Sequence, residues 1–426
     1  MSSAAVLPPL RLALGRWRQM GEFYFLAEFR DGVQAVSPSP AGATVARPGA
    51  LARGIEKIAE LTRFGLQLLR CAQMPSGRTL VFNHSGRYRR EEDANRPLYI
   101  SPAFESAGIL IFEDKRVALS YGRTVARLDA VCVNRSAEIV GALAAQVCKW
   151  RFGVFDRDIV NFYVKRAFWR LTFQLLRPAS LLAFVWYGKE AQISAARSLG
   201  VESTDVQHGV VYPSHPFYRL DRSAGFPGSE QLRPERCLVY GEYWKRMLVA
   251  AGWPAANVKV AGCFIDTRRA QTENVETPFI LYTSQPHFHG IIVRHIESIL
   301  PAVTARGWQI MIALHPSEDG TGYCAILGDK VRIARLDTYD MLRDCVTHVS
   351  VSSTLLWEAM IFGKSSHVLE AGRYAPELLG DFLAFGFGRA LTFGQFPEPF
   401  SLPESPSMEF FFRPDVDRAA LAGIDG

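Results

Sequence analysis

Gln207-His208-Gly209 follows a strand-like run that ends at Val206, and it is polar where packing alone would place apolar groups. Histidine is the side chain best suited to exchange protons near neutral pH. Glycine lets a backbone or a ligand approach closely. Glu190 follows the continuous apolar run "SLLAFVWYG" (180–188) and is the nearest acidic residue that could act as a general base. The plainer reading of both is structural: a histidine bonded to neighbouring backbone and a carboxylate in the first turn of a helix.

Three more polar groups stand at predicted strand ends: Thr283-Ser284-Gln285, His315-Pro316 and the turn Ser352-Ser353-Thr354. The Ser-Ser-Thr turn opens a predicted helix, where hydroxyls and free backbone N–H groups meet the positive end of the helix dipole. That combination suits a phosphate. Glu358, one turn further in, is placed to reach the hydroxyls of a ribose. His287 and His289 have the spacing of a ligand pair but lack an identifiable third ligand, so no metal is expected. The basic loop "RYRREED" (87–93) reads as self-paired and solvated, or else as a rim for an anionic acceptor or membrane surface.

The elements that must position these residues show as alternating patterns. A helix is predicted from Leu51 through Gln73, then a strand in "RTLVFNH" and helical, aromatic-rich sequence over 136–180. From about residue 180, short apolar strands alternate with helices to about residue 370, which implies parallel, doubly wound sheets. In such sheets ligands bind beyond the carboxyl ends of the strands, where the polar groups above all fall. The expected class is therefore α/β, with two Rossmann-like domains facing each other across a cleft. The expected divisions are an irregular segment 1–50, a first domain 51–225, a second domain 226–400 and a tail 401–426 that packs back on the first domain.

The totals agree with this division. A chain of 426 residues exceeds one ordinary core, and 48% hydrophobic with 21% charged residues is a globular composition. A formal net charge of +6 is mild, so nucleic acid is not an expected partner. Seven cysteines without CxxC spacing read as reduced thiols in a cytoplasmic protein. The N-terminal "AAVLPPLRLALGRWR" is too short and proline-broken for a signal peptide, and no apolar run reaches membrane-spanning length. The aromatic, basic stretches near 13–30 and 149–178 leave peripheral contact with the inner face of a membrane as an expectation.

The combination of HP with the later "HVSVSSTLLWEAMIFGK" resembles the donor lobe of bacterial GT-B glycosyltransferases. It is most similar to the CMP-sugar group of sialyltransferases and Kdo transferases that build capsule and lipopolysaccharide. "VQHGVVYPSHPFY" with "LVYGEYWKRMLVAAGWPAANVKVAG" also looks like bacterial surface-polysaccharide biosynthesis proteins. The resemblance implies an inverting, metal-independent transfer of Kdo or a sialic-acid-like sugar from a CMP donor to a glycan or lipid-linked glycan, with no other cofactor. It assigns donor contacts to His315, Pro316, Ser352, Ser353 and Thr354. The chain departs from that pattern because "EDG" (318–320) directly follows HP, so His208 or Glu190 takes the role of base. A glycerophosphotransferase, a nucleotide-sugar 2-epimerase and a non-catalytic assembly partner stand as alternatives.

Overall fold

The computed structural model describes residues 50–74, 76–83, 110–113, 126–152, 157–212, 215, 217–219, 232–263, 277–285, 288–315, 318, 320–334, 338–370 and 376–414. Residues 1–49, the 87–93 loop, His287 and Pro316 lie outside them. The first lobe runs α1 (Ala50–Ala72), β1 (Thr79–Asn83), β2 (Leu110–Glu113), β3 (Ala126–Asp129), α2 (Ala130–Phe152) and α3 (Arg157–Leu176). It continues through β4 (Ser180–Phe184), α4 (Glu190–Arg197), β5 (Glu202–Val206), β6 (Arg236–Val239), α5 (Glu242–Ala250) and β7 (Val258–Val260). The second lobe runs β8 (Phe279–Thr283), α6 (His289–Ala305), β9 (Gln309–Ala313), α7 (Thr321–Leu327), β10 (Arg332–Ile333) and α8 (Thr338–Asp344). It closes with β11 (Thr347–Ser350), α9 (Leu355–Glu358), β12 (Ser366–Leu369), α10 (Pro376–Ala384), β13 (Gly388–Leu391) and α11 (Met408–Phe411).

Both sheets are parallel and doubly wound. The first has the order β3-β2-β1-β4-β5-β6-β7 and the second β10-β9-β8-β11-β12-β13. Each therefore reverses its winding once, between β1 and β4 and between β8 and β11, and the crevice at such a reversal is where doubly wound sheets bind ligands. The expected α/β class with two facing Rossmann-like sheets is what the chain adopts. The continuous apolar run at 180–184 is buried at every residue because β4 is flanked by β1 and β5 and covered on both faces.

The expected boundary at 225/226 needs correction at the level of the sheets. β6 and β7 complete the first sheet, with Val206 opposite Leu238 and Cys237 opposite Val258. Arg236 holds Glu202 across this pairing at 2.5 Å. A strand–helix–strand pattern reads the same whichever sheet it joins, so the sequence pattern could not assign β6. The four-residue strands β2, β3 and β13 also gave no separate signal.

An aromatic seam joins the lobes. Tyr243 and Trp244 of α5 meet Trp357 of α9 at ring centroids 5.4 and 5.1 Å apart, and Phe382 of α10 packs on Trp357 at 4.9 Å. The chain after β13 returns to the first lobe. Trp244 Nε1 donates to Phe411 O at 2.7 Å, and the Arg413 N–H donates to Tyr240 O at 3.0 Å. Gly241 is required there, because a Cβ would stand 2.6 Å from Phe410 O. One apolar core therefore runs from the first sheet into α8, α9 and α10, while a second core lies between the second sheet and α6.

The second lobe buries three histidines in the neutral state. Burial lowers His348 to about 3 and His295 and His367 to about 4. His348, on β11, bridges Thr283 Oγ1 of β8 at 2.9 Å and Ser366 Oγ of β12 at 3.0 Å. Below the unfolded value of about 6.5 the unfolded chain takes a proton at His348 that the folded chain refuses, so folding stability falls as pH drops through that window. Replacing His348 by Gln should flatten the dependence of unfolding free energy on pH between about 4 and 6 by about 1.4 kcal/mol per pH unit. Denaturant titrations at several pH values measure this, and parallel curves for the two proteins would refute the assignment.

Candidate functional site

The first lobe builds its half of the site from the turns after β4 and β5. Val185, directly after β4, has φ 64°, a left-handed conformation that is strained for a β-branched residue. Lys189 holds that turn. Its buried ammonium donates to Val185 O at 2.7 Å and Phe184 O at 3.3 Å. The turn then presents Tyr187, and Glu190 starts α4.

Asp205, in β5 next to the middle strand β4, is fully buried and ties three segments together. It accepts from the Trp186 N–H at 3.2 Å, from Tyr218 Oη at 2.6 Å and from the Cys237 thiol at 3.6 Å. Burial raises its carboxyl to about 7, against hydrogen bonds and the nearby Lys189 that lower it. These bonds set the β4 turn against the segment after β5, and Tyr187 stacks on Phe217 with centroids 4.6 Å apart. The result is a hydrogen bond of 2.8 Å between Tyr187 Oη and His208 Nε2. A tyrosine hydroxyl bonded to an imidazole at a strand end can position, donate or accept a proton.

Glu190 is part of the same edge. Its carboxylate accepts from the Gly188 N–H at 3.1 Å, and desolvation raises it above the ordinary carboxylate range despite Lys189 and Lys165 nearby. A raised carboxyl is suited to general acid–base work. Gln207 has a different role from the expected substrate contact. It is fully buried, donates to Gly209 O at 2.8 Å and accepts from the Tyr240 N–H at 2.9 Å. Its amide shapes the turn that carries His208.

The second lobe offers the turns after β8, β9 and β11. Gln285 Oε1 accepts from the Ser352 N–H at 2.9 Å and from Ser352 Oγ at 3.0 Å, which fixes the Ser-Ser-Thr turn across the switch point. Ser353 Oγ accepts from the Leu355 N–H at 3.2 Å. The helix beyond is short, because α9 has four residues and continues as a tighter turn over Ala359–Phe362. Any anion seat there rests on the hydroxyls and turn N–H groups more than on a long helix dipole. Glu358 does not face a ribose site: it is buried, and Tyr339 Oη donates to it at 2.8 Å. Thr283 is likewise buried, held by His348 inside the sheet.

Ser284, His315 and Glu318 form a knot at the ends of β8 and β9. The His315 N–H donates to Ser284 Oγ at 2.8 Å and to Glu318 Oε2 at 3.2 Å, and Ser284 Oγ donates to the same carboxylate. Glu318 is thus anchored to the ends of both strands. His315 itself is exposed at the strand end, and Pro316 is outside the described residues. His289 starts α6 against Tyr323, with centroids 4.2 Å apart. Among the described residues no cluster of three His, Cys, Asp or Glu could hold a metal ion.

The two halves touch. A Cβ on Gly209 would stand 2.9 Å from Thr354 Cγ2, so the turn carrying His208 meets the Ser-Ser-Thr turn directly. The close approach that Gly209 permits is used here by the opposite lobe. Sequence reading marks Tyr187 and Lys189 only as part of the strand end Tyr187-Gly188-Lys189-Glu190, and it missed Asp205 and Tyr218. The one available signal was a carboxylate inside the otherwise buried strand "STDV".

No protein-family model matches the chain, and no curated protein matches it in sequence. Solved structures do resemble it. UDP-GlcNAc 2-epimerase from Neisseria meningitidis bound to UDP-GlcNAc is 15% identical, with TM-score 0.45, covering 74% of this chain and 87% of its own. A putative UDP-N-acetylglucosamine 2-epimerase from Listeria monocytogenes is 13% identical, with TM-score 0.47, covering 75% and 85%. CalG4, the calicheamicin glycosyltransferase, is 12% identical, with TM-score 0.44, covering 82% and 92%. Each resembles this chain in backbone layout alone.

Two outcomes are expected from these contacts. Asp205→Ala leaves Tyr218 Oη and the Trp186 N–H buried without their acceptor, so urea unfolding should show a loss of about 3 kcal/mol or more. A loss below about 1 kcal/mol would contradict the anchor role. Gly209→Ala should cost about 1–3 kcal/mol by overpacking against Thr354, and Thr354→Ser should return most of it in the double variant. Additive effects of the two substitutions would show that the turns do not touch.

Proposed function

We propose that the protein is a nucleotide-sugar enzyme working in the cleft between its two parallel sheets. The Ser352–Thr354 turn with Gln285 and His315 holds the nucleotide phosphates. His208, Tyr187 and Glu190 carry the proton transfers at the sugar. What supports this reading above all is the direct approach of the His208 turn to the Ser-Ser-Thr turn across the cleft. Hydroxyls that can hold phosphate and groups that can move protons then lie on facing turns.

Two chemistries suit that arrangement. Epimerisation at C2 of a nucleotide sugar removes and returns a proton on one substrate. It is favoured by two separate acid–base positions on the first lobe, the Tyr187–His208 pair and Glu190. Glycosyl transfer needs one base, which takes the proton of an acceptor hydroxyl as the sugar–phosphate bond breaks. The CMP-linked acidic sugar implied by sequence resemblance is one donor under this reading, and UDP-N-acetylhexosamine is the other.

The deciding assay incubates the protein with UDP-GlcNAc and with CMP-linked acidic sugars, with and without a divalent cation, and follows both sugar configuration and nucleotide release. A changed sugar without any acceptor identifies an epimerase, and acceptor-dependent nucleotide release identifies a transferase. Failure of UDP, UMP and CMP all to bind in calorimetry would refute the reading. Ser353→Ala should weaken nucleotide binding about tenfold or more, since hydrogen bonds to charged groups contribute about 1.5–3 kcal/mol. His208→Ala should lower kcat by about 10²–10⁴ while nucleotide affinity stays within about twofold.

A further inference from the structure

Among the described residues, Arg177, Val185 and Glu370 take a left-handed backbone without being glycine, at φ 46°, 64° and 53°. That conformation is costly for a residue with a Cβ and persists only where something holds it or uses it. Arg177 has a local reason. It closes α3, with its N–H on Phe173 O at 2.7 Å and its carbonyl taken by the Gly77 N–H at 2.9 Å. Val185 has one too, in the Lys189 ammonium on its carbonyl. Glu370 follows a strand, so it has no helix to close. Its N–H donates to Leu391 O at 2.8 Å, a backbone bond that glycine would make equally well. Its carboxylate makes no hydrogen bond or ion pair among the described residues.

The strained residue stands at the carboxyl edge of the second sheet, directly after β12, and is half-buried. β11 and β12 pair through Ser350 and Val368, and two residues further along each chain come Ser352 and Glu370. Neighbouring strands run about 4.8 Å apart, so Glu370 borders the Ser-Ser-Thr turn. Gln285 grips that turn from β8, which lies on the opposite side of β11 from β12.

A carboxylate beside a phosphate seat repels the phosphate and suits what is attached to it. Its two oxygens can accept from two adjacent hydroxyls at once, and hydrogen bonds to a charged acceptor are the stronger kind. Ribose carries such a pair. The other carboxylates near this edge are already engaged: Glu358 is buried against Tyr339 Oη, and Glu318 holds Ser284 and the His315 N–H. The far end of the turn, at Thr354, meets Gly209 of the first lobe, where the acid–base groups are. The β12 side is therefore the one left for the nucleoside.

We propose that Glu370 binds the ribose hydroxyls of the nucleotide, the part that sequence reading gave to Glu358. Its strained backbone is kept because glycine would relieve the strain but lose the contact. The inference rests on the reading that nucleotide phosphates lie at the Ser352–Thr354 turn.

Calorimetry of the full chain with UMP and CMP, each against its 2′,3′-dideoxy form, tests it. The wild type should bind the ribonucleotide roughly tenfold or more tightly than the dideoxy form. Glu370→Ala and Glu370→Gly should bind the two forms within about twofold of each other, with affinity for the dideoxy form unchanged. Ser353→Ala should instead weaken both forms alike. Glu370→Gly also relieves the backbone, so its thermal midpoint should lie above that of Glu370→Ala. A ribose preference that survives in both Glu370 variants would overturn the assignment while leaving the phosphate seat standing. A lower midpoint for Glu370→Gly than for Glu370→Ala would overturn the strain argument. Failure of UMP and CMP alike to bind the wild type would overturn the nucleotide reading and this inference with it.

Discussion

A single buried carboxylate organises the first lobe's half of the cleft. Asp205 sits where a parallel sheet ordinarily carries an apolar residue, and it bonds the turn after β4, the segment after β5 and the strand β6 at once. Burying a carboxyl costs free energy unless its oxygens are satisfied, and three donors with a nearby ammonium supply that compensation. Burial raises the affinity of this carboxyl for a proton, against the three donors and Lys189 that favour its charged form. Tyr187 meets His208 because the strained turn at Val185 and the segment through Tyr218 are both fastened to this one residue. The strain at Val185 is maintained by Lys189 on the neighbouring carbonyls. Acid–base geometry at the cleft edge is thus a consequence of packing beneath it.

The second lobe is assembled on a different principle. Its switch point is fixed by neutral hydrogen bonds, with Gln285 gripping Ser352 and Ser350 Oγ donating to Thr283 O at 2.9 Å. Neutral histidines buried beneath keep charge out of the layer. His295 donates to Gln395 O at 3.1 Å and His367 to Glu398 O at 3.0 Å, which fastens the extended chain after β13. That chain then crosses to the first lobe, where Phe411 and Phe412 join the aromatic seam around Trp244 and Trp357. The seam sets how closely the Gly209 and Thr354 turns approach, so the cleft's width is linked to aromatic packing well outside the site.

Much of the architecture was legible because continuous apolar runs and helical periodicity report burial directly. β4, β8 and β9 fall where the apolar runs are. Sheet membership was not legible, since β6 could extend either sheet, and only its pairing with β5 decides the matter. Polar strand ends were visible by type, but their partners were not. Gln207 and Glu358 looked like ligand contacts because their partners, Tyr240 and Tyr339, are distant in sequence. Asp205 looked like an ordinary strand residue because its three donors lie at positions 186, 218 and 237. The periodicity of α1 showed a helix but not which of its sides is buried, and Ile55, Ile58, Leu66 and Leu69 are exposed while Phe64 and Cys71 are buried.

The central claim is that nucleotide and acid–base groups occupy the facing turns of one cleft. Hydrogen exchange of the backbone amides, with and without UDP-GlcNAc and CMP, tests it most directly. Slowed exchange in 283–285 and 351–355, accompanied by 207–211 when the sugar is attached, is the predicted result. Protection confined to other segments, or none in the presence of a bound nucleotide, would contradict the account.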